Sequence, residues 1–233
     1  MNNTNHYSED LLSNYSNLLE CYPSHELLRP MLGDAITEFC HDKNKNYKIL
    51  EVGAGRGEST ELFIKSNMQV TFIEPSPGAL AVLKSKFSEK KHTLVRADAL
   101  EWIKREPPCS YEVVTASWVL HNFPAETRDW FIKECYRILK KPGLFAIFDK
   151  ILQEGATQKN NDLFNKQIER LRSSKAIDQK LFKKMIAHEK RDISFDYVWY
   201  ENDLRDGLDK LGFDKVIGRG RHERDMVLFA TKN

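Results

Sequence analysis

The stretch ILEVGAGRGEST, residues 49–60, decides the fold. An apolar, β-branched lead-in runs into Gly53, Gly55 and Gly57 and then into a helix-like segment. Strand, glycine turn and helix in that order seat a nucleotide-like ligand over the first strand of an α/β sheet, where the backbone must come close. The rhythm continues outward. YKILEVG, MQVTFIE, HTLVRAD, YEVVTAS and LFAIFDK, within residues 47–150, read as strands, and 57–66, 76–88, 98–105 and 124–140 as the helices between them. This alternation predicts a parallel sheet with right-handed crossovers, helices on both faces and the ligand at the carboxyl ends of the strands. Pro75 and Pro77, Pro107–Pro108 and KKPG at 140–143 punctuate the series, the last closing a helix before strand five. Farther on, NDLRDGLDKLGF reads as a helix stopped at Gly212, and FDKVIGRG and DMVLFATK as an antiparallel hairpin joined through GRGRHERD. Seven strands result.

With 233 residues, 41% hydrophobic and 30% charged, the chain can bury the core of one domain with a decoration, which excludes extended disorder. No apolar run approaches the ~20 residues of a membrane helix. The polar start MNNTNHYSED lacks the layout of a secretion signal, so a cytoplasmic location is expected. Cys21, Cys40, Cys109 and Cys135 are widely spaced with no CxxC pair and read as buried thiols; neither a disulfide framework nor a metal site is expected. A net charge of +2 gives no ground for a nucleic-acid partner, and Arg219, Arg221, His222 and Arg224 read as a solvated hairpin tip.

Two segments fall outside the alternation. Residues 8–42 read as one or two amphipathic helices broken at Pro23 and Pro30, so that 1–46 form an N-terminal cap on a domain spanning 47–233. The helical insertion at about 155–192 carries Leu163, Phe164, Leu171, Leu181 and Met185 among many charges. Both segments are expected to cover the ligand-bearing edge as a lid.

The glycine loop itself narrows the ligand. A dinucleotide loop follows GxGxxG, but the third glycine position, counted from Gly53, is Glu58. A carboxylate there already satisfies the helix dipole and repels a phosphate. No Lys-Ser or Lys-Thr pair follows, so a P-loop fails too. A phosphate-free cofactor, S-adenosylmethionine (SAM), fits better: adenosine, a sulfonium cation and an amino-acid tail. Glu74 ends the second strand, where it can accept from ribose hydroxyls. Asp98, in VRADAL, is placed to accept from adenine's exocyclic amine or to cap the helix after it.

Five motifs in register, E-V-G-A-G-R-G (51–57), I-E-P-S (73–76), R-A-D-A-L (96–100), A-S-W-V-L-H-N-F (116–123) and K-P-G-L-F (141–145), resemble those of the class I SAM-dependent methyltransferases. The resemblance covers residues 47–150 and the terminal hairpin. It implies a Rossmann-like doubly wound sheet of order 3-2-1-4-5-7-6. It also implies a cofactor site in which Glu51, Gly53, Gly55 and Gly57 line the methionine side, Glu74 holds the ribose, Asp98 and Ala99 face the adenine and Ser117 lies beneath the sulfonium; Ala54, Pro75 and Trp118 are further cofactor-binding candidates, and Trp118 and Phe123 read either as aromatic walls of the pocket or as core. His121 resembles the histidine that follows the same strand in many small-molecule O-methyltransferases and is the candidate base; the triplet here is H-N-F, without the aspartate of H-D-W. The flanks, notably C-Y-P-S-H-E-L-L-R-P-M-L-G (21–33), are similar in placement to those of carboxy-SAM synthases, with His25 where those enzymes have a tyrosine. His25 and Arg29 are accordingly candidates for the cofactor carboxylate, Lys183, Lys184, Lys190 and Arg191 for an extra carboxylate, and a homodimer is implied. The expected function is methyl transfer from SAM to a small molecule, a hydroxyl first and nitrogen next. Carboxyl transfer onto SAM, tRNA modification and a non-catalytic SAM-binding partner subunit are the competing readings.

Overall fold

In the computed structural model, which describes residues 18–233, the ILEV strand lies inside a seven-stranded sheet. β1 (Tyr47–Val52) pairs in parallel with β2 (Met68–Ile73) on one side and β4 (Tyr111–Ser117) on the other. β3 (Thr93–Val95) lies beyond β2 and β5 (Leu139–Lys150) beyond β4, both parallel. β7 (Asp225–Lys232) is antiparallel to β5 and to the edge strand β6 (Lys215–His222), which completes the order β3-β2-β1-β4-β5-β7-β6. This is the order the motifs implied.

Alternate residues of each strand feed opposite faces. Leu50 and Val52 of β1 join a core with α4 (Ala99–Ile103), α5 (Ala125–Ile138) and α8 (Glu201–Leu211) through Ile103, Phe131, Ile138 and Leu208. Tyr47 and Ile49 join the other core, with α1 (Ser24–Phe39), α2 (Thr60–Phe63) and α3 (Pro77–Lys86) through Leu32, Ile36, Phe63 and Leu83. Because both faces are covered, β1, β2 and β4 are buried almost throughout. A third cluster unites Leu18, Cys21 and Tyr22 with Leu171 of α6 (Thr157–Ser173) and with Leu181 and Met185 of α7 (Gln179–Asp192), against Trp118. The two helices of the insertion and the segment before α1 thus form one body over the carboxyl end of β4. Residues 8–17 of the expected N-terminal helix lie outside the described residues.

Several local expectations are corrected. The helix read at 57–66 shrinks to α2, four residues long, because Gly57 has φ +83° and Lys65 turns the chain back by accepting from the Met68 N–H. KKPG does not separate a helix from a strand. β5 already begins at Leu139, and the pairing Tyr111↔Leu139 followed by Val113↔Leu144 makes 140–143 a bulge within it. The helix α5 can end there because Lys232 Nζ donates to the carbonyls of Tyr136 and Leu139, at 2.6 and 2.7 Å. Pro30 does not break α1: its missing N–H affects only the carbonyl of Glu26, which lies on the exposed side. The helix stop at Gly212 is found as read, with φ +92°.

The hairpin tip is not a solvated cationic loop. Most of the basic residues lie within β6, and the turn is only Glu223–Arg224. Arg219 is paired with Glu38, Arg221 donates to the Ile151 carbonyl and to Glu201, and Arg224 is buried against Glu189. These guanidinium groups are committed to holding the hairpin to α1, α8 and α7.

Candidate active site

The glycine loop is tied to its neighbouring strand by the N–H groups of Gly53 and Ala54, which donate to the Ile73 carbonyl at 2.8 and 3.2 Å. Gly53 has φ +61°, and a Cβ there would stand 2.5 Å from Val119 Cγ2, so only glycine lets the loop pass beneath the segment after β4. Above Gly55, by contrast, there is open space for a ligand. Glu74, at the end of β2, accepts from the Gly55 N–H through one oxygen and from the Ser76 N–H through the other, both at 2.9 Å. Burial raises its pKa, and these two N–H groups partly offset that. The loop and the acid read from sequence as a ribose partner are therefore one hydrogen-bonded unit, with Pro75 exposed beside it. Asp98 caps α4, accepting from Leu100 N–H at 2.8 Å and Glu101 N–H at 3.3 Å, and Ala99 opens that helix. Ser117 closes β4.

Glu51 is 2% exposed on the α1–α2 face of β1. Its carboxyl accepts from the Thr60 hydroxyl and has no cationic partner among the described residues. Burial, with a smaller contribution from Glu58, pushes its pKa up to about 8. A buried acid under a glycine loop, next to open space, suits a cofactor whose tail carries an ammonium and whose reactive centre is a sulfonium. It does not suit a pyrophosphate.

After Ser117 the backbone turns sharply. Trp118 has φ +59°, a left-handed conformation that costs a non-glycine residue about 1 kcal/mol or more, and its N–H donates to the Phe148 carbonyl at 2.7 Å. The short turn Leu120–Asn122 then presents His121, which is buried, with Nδ1 2.5 Å from Asp149 Oδ1. Asp149 is fully buried near the end of β5, and its other oxygen accepts from the Leu120 and Val119 N–H groups at 2.7 and 3.3 Å. A carboxylate only accepts, so the proton of the neutral ring sits on Nδ1 and the lone pair on Nε2. The acid absent from H-N-F is supplied from strand five. Sequence reading missed Asp149; its only signal was an acid directly after the apolar run LFAIF.

The cover over this edge is held by buried charges. Lys150 Nζ donates to Glu189 at 2.8 Å and to Asp192 at 2.7 Å, Arg224 donates to Glu189, and the Tyr22 hydroxyl reaches Glu189 at 2.8 Å. Burial alone would raise the Glu189 pKa, but Lys150 and Arg224 outweigh it and bring it down to about 2. Burial would lower the Lys150 pKa, but Asp192 and Glu189 outweigh it and leave it above its ordinary value. Arg191, one of the residues considered for an extra carboxylate, donates to Asn122 at 2.7 Å and to Asp192 at 2.8 Å. It bridges the cover to the His121 turn.

His25 lies with its ring centroid 4.2 Å from that of Trp118 and 5.1 Å from that of Phe148, and Arg29 approaches its Nδ1 at 2.6 Å. His25, Trp118 and His121 are thus brought together, with 5.6 Å between the Trp118 and His121 centroids. A separate hollow lined by Lys48, Gln69, Thr71, Thr93 and Tyr111 opens at the opposite, amino-terminal ends of the strands and contains none of these residues. No helix among the described residues is long and apolar enough to cross a membrane.

Comparison with known proteins agrees with this geometry. Residues 49–143 match the family model for a methyltransferase domain. An uncharacterized methyltransferase of Bacillus licheniformis is 23% identical over 128 residues, which are 55% of this chain and 56% of that protein. The chain spans about half the length of the curated relatives it matches. Among solved structures, the CurJ carbon methyltransferase superposes with a TM-score of 0.65 at 13% identity, covering 88% of this chain and 54% of that one. The Burkholderia thailandensis 1,6-didemethyltoxoflavin-N1-methyltransferase, with bound 1,6-didemethyltoxoflavin and S-adenosylhomocysteine, gives 0.55 at 14% identity, covering 100% of this chain and 92% of that one. Motifs, strand order and family match converge: residues 49–143 match a methyltransferase domain, carried on the seven-stranded sheet whose order the motifs implied.

Proposed function

We propose that the chain transfers a methyl group from SAM to a small-molecule acceptor, a hydroxyl first and nitrogen next. The observation that carries this reading is the pairing of His121 with buried Asp149 at the carboxyl end of β4, between the glycine loop and the helical cover. Bound SAM supplies an electrophilic methyl on its sulfonium. In this reading Glu51, Gly53, Ala54 and Gly55 hold the methionine end and Arg29 its carboxylate, Glu74 and Pro75 flank the ribose, Asp98 and Ala99 the adenine, and Ser117 supports the centre. Displacement at a methyl needs alignment and exclusion of water, which the body formed by residues 18–22, α6 and α7 supplies over Trp118. An amine needs no base. A hydroxyl does, and His121 Nε2, with its ring oriented by Asp149, takes that proton. A small acceptor is supported by the cover that residues 18–22, α6 and α7 place over Trp118 and by the 1,6-didemethyltoxoflavin bound in the Burkholderia neighbour.

Incubation with labelled SAM and a panel of phenols, amines and carboxylates is expected to yield S-adenosylhomocysteine and a methylated product. No product across the panel, despite tight cofactor binding, would favour a partner subunit. A heavier, carboxylated cofactor formed with prephenate would favour carboxyl transfer, and methylated tRNA would favour RNA modification. His121→Ala should slow turnover about a hundredfold while leaving cofactor affinity within a few-fold.

A further inference from the structure

Among the buried N–H donors that have no acceptor among the described residues, three lie in this corner: Nε2 of His25, Nε1 of Trp118 and Nε of Arg29, whose guanidinium contacts His25. The tautomer of His25 follows from its neighbour. A guanidinium only donates, so the Arg29 contact at 2.6 Å makes His25 Nδ1 the acceptor and leaves the proton of the neutral ring on Nε2. The neutral form is the relevant one, because burial, then Arg29, Lys150 and His121, hold the His25 pKa well below the usual imidazole range. His25 is 4% exposed, so its unmet N–H is not satisfied by bulk water, and a buried donor left without an acceptor is destabilising. Trp118 carries a second cost, its left-handed backbone, which turns the indole out of the strand direction toward His25.

Position in the sheet assigns the pair to one side of the site. Glu51, the glycine loop, Glu74 and Asp98 belong to the ends of β1, β2 and β3. His25 and Trp118 instead meet at the ends of β4 and β5, against Phe148 and Tyr22, with Lys150 Nζ 4.7 Å from a Trp118 ring centroid. We propose that the His25 and Trp118 N–H groups form an oxyanion subsite that binds a carboxylate of the methyl acceptor and thereby orients it toward His121. This rests on the methyltransferase reading and narrows its substrate class to acids. The two rings stand edge to face with centroids 4.2 Å apart, so their two unmet donors belong to one patch of the site. Hydrogen bonds to an ionised acceptor are about twice as strong as neutral ones.

Calorimetry on protein saturated with S-adenosylhomocysteine tests this, with acetate, salicylate and cinnamate titrated against acetamide, salicylamide and cinnamamide. At least one acid should bind about tenfold or more tightly than its amide, as one charge-assisted hydrogen bond implies. Trp118→Phe and His25→Leu should each remove most of that preference, and His25→Gln, which keeps an N–H donor, should retain part of it. Circular dichroism melts of the variants identify any that fail to fold, leaving the others to decide the question. Equal binding of acids and amides, or a preference unchanged in folded variants, overturns the proposal. So does a loss of affinity for S-adenosylhomocysteine with none for methylthioadenosine, which would give the oxygens to the cofactor's own carboxylate. Failure of wild type to bind S-adenosylhomocysteine at all would refute the parent reading; binding without an acid preference refutes this inference alone.

Discussion

Replacing Glu51 by glutamine should stabilise the unliganded protein, by an amount that depends on pH. The carboxyl is buried, has Thr60 as its hydrogen-bond donor and titrates near 8, against 4.5 for an ordinary glutamate. Below pH 4.5 both folded and unfolded chains carry the proton, and Glu51 has no electrostatic effect. Between 4.5 and 8 the unfolded chain releases its proton while the folded one keeps it, so stability falls as pH rises, and above 8 the loss is complete. At ~1.4 kcal/mol per pH unit the accumulated cost reaches about 5 kcal/mol, and local relaxation around the ionised group brings the expected difference down to about 2–4 kcal/mol. Glutamine has nearly the same shape, can still accept from Thr60, and never ionises. Urea unfolding of both proteins from pH 5 to pH 9, followed by circular dichroism, should give curves that coincide at the acid end and diverge up to about pH 8. A difference that does not change with pH would show that Glu51 is already ionised against a partner and would remove the argument for a cationic ligand at the glycine loop.

Other outcomes follow from the same structure. Binding of S-adenosylhomocysteine at pH 7 should release close to one proton as its ammonium ionises Glu51; calorimetry in buffers of different ionisation enthalpy measures it, and a buffer-independent heat counts against that contact. Glu189→Ala leaves Lys150, Arg224 and the Tyr22 hydroxyl without their shared acceptor and should cost about 3–5 kcal/mol in urea unfolding. A loss below about 1 kcal/mol would mean that the cover is open in solution. Acid should also weaken the fold through His188 on α7, where burial, then Arg191, hold the imidazole down to about 4. The unfolded chain takes that proton first as pH falls from 6.5 to 4, and this residue should account for about 1 kcal/mol of the loss once solvent screening is allowed for; His188→Phe should flatten that stretch of the pH–stability curve.

How far the sequence could be read depends on the range of each interaction. The glycine loop, the strand alternation, the stop at Gly212 and the terminal hairpin rest on local backbone rules, and the structure contains them. The strand order came from the resemblance of the five motifs. Asp149 was out of reach because its meaning comes from His121, 28 positions away, and only the β4–β5 pairing brings the two together. The same holds for the arginines of the terminal hairpin: in the chain they form a basic run, and in the fold each meets an acid or carbonyl from another element. KKPG misled because proline and glycine mark bulges as well as helix ends, and the choice between them was made by Lys232, about 90 residues downstream.

Asp149 and Lys150 are consecutive, and their side chains leave β5 on opposite faces. One steadies the imidazole; the other clamps helix α7. A single peptide group therefore links the His121 ring to the roof, like the pivot of a balance whose two pans cannot move independently. On the proposed reading, loosening α7 to admit a bulkier acceptor would tilt His121 as well, so a broader acceptor range and intact proton transfer are opposed demands on one point of the chain.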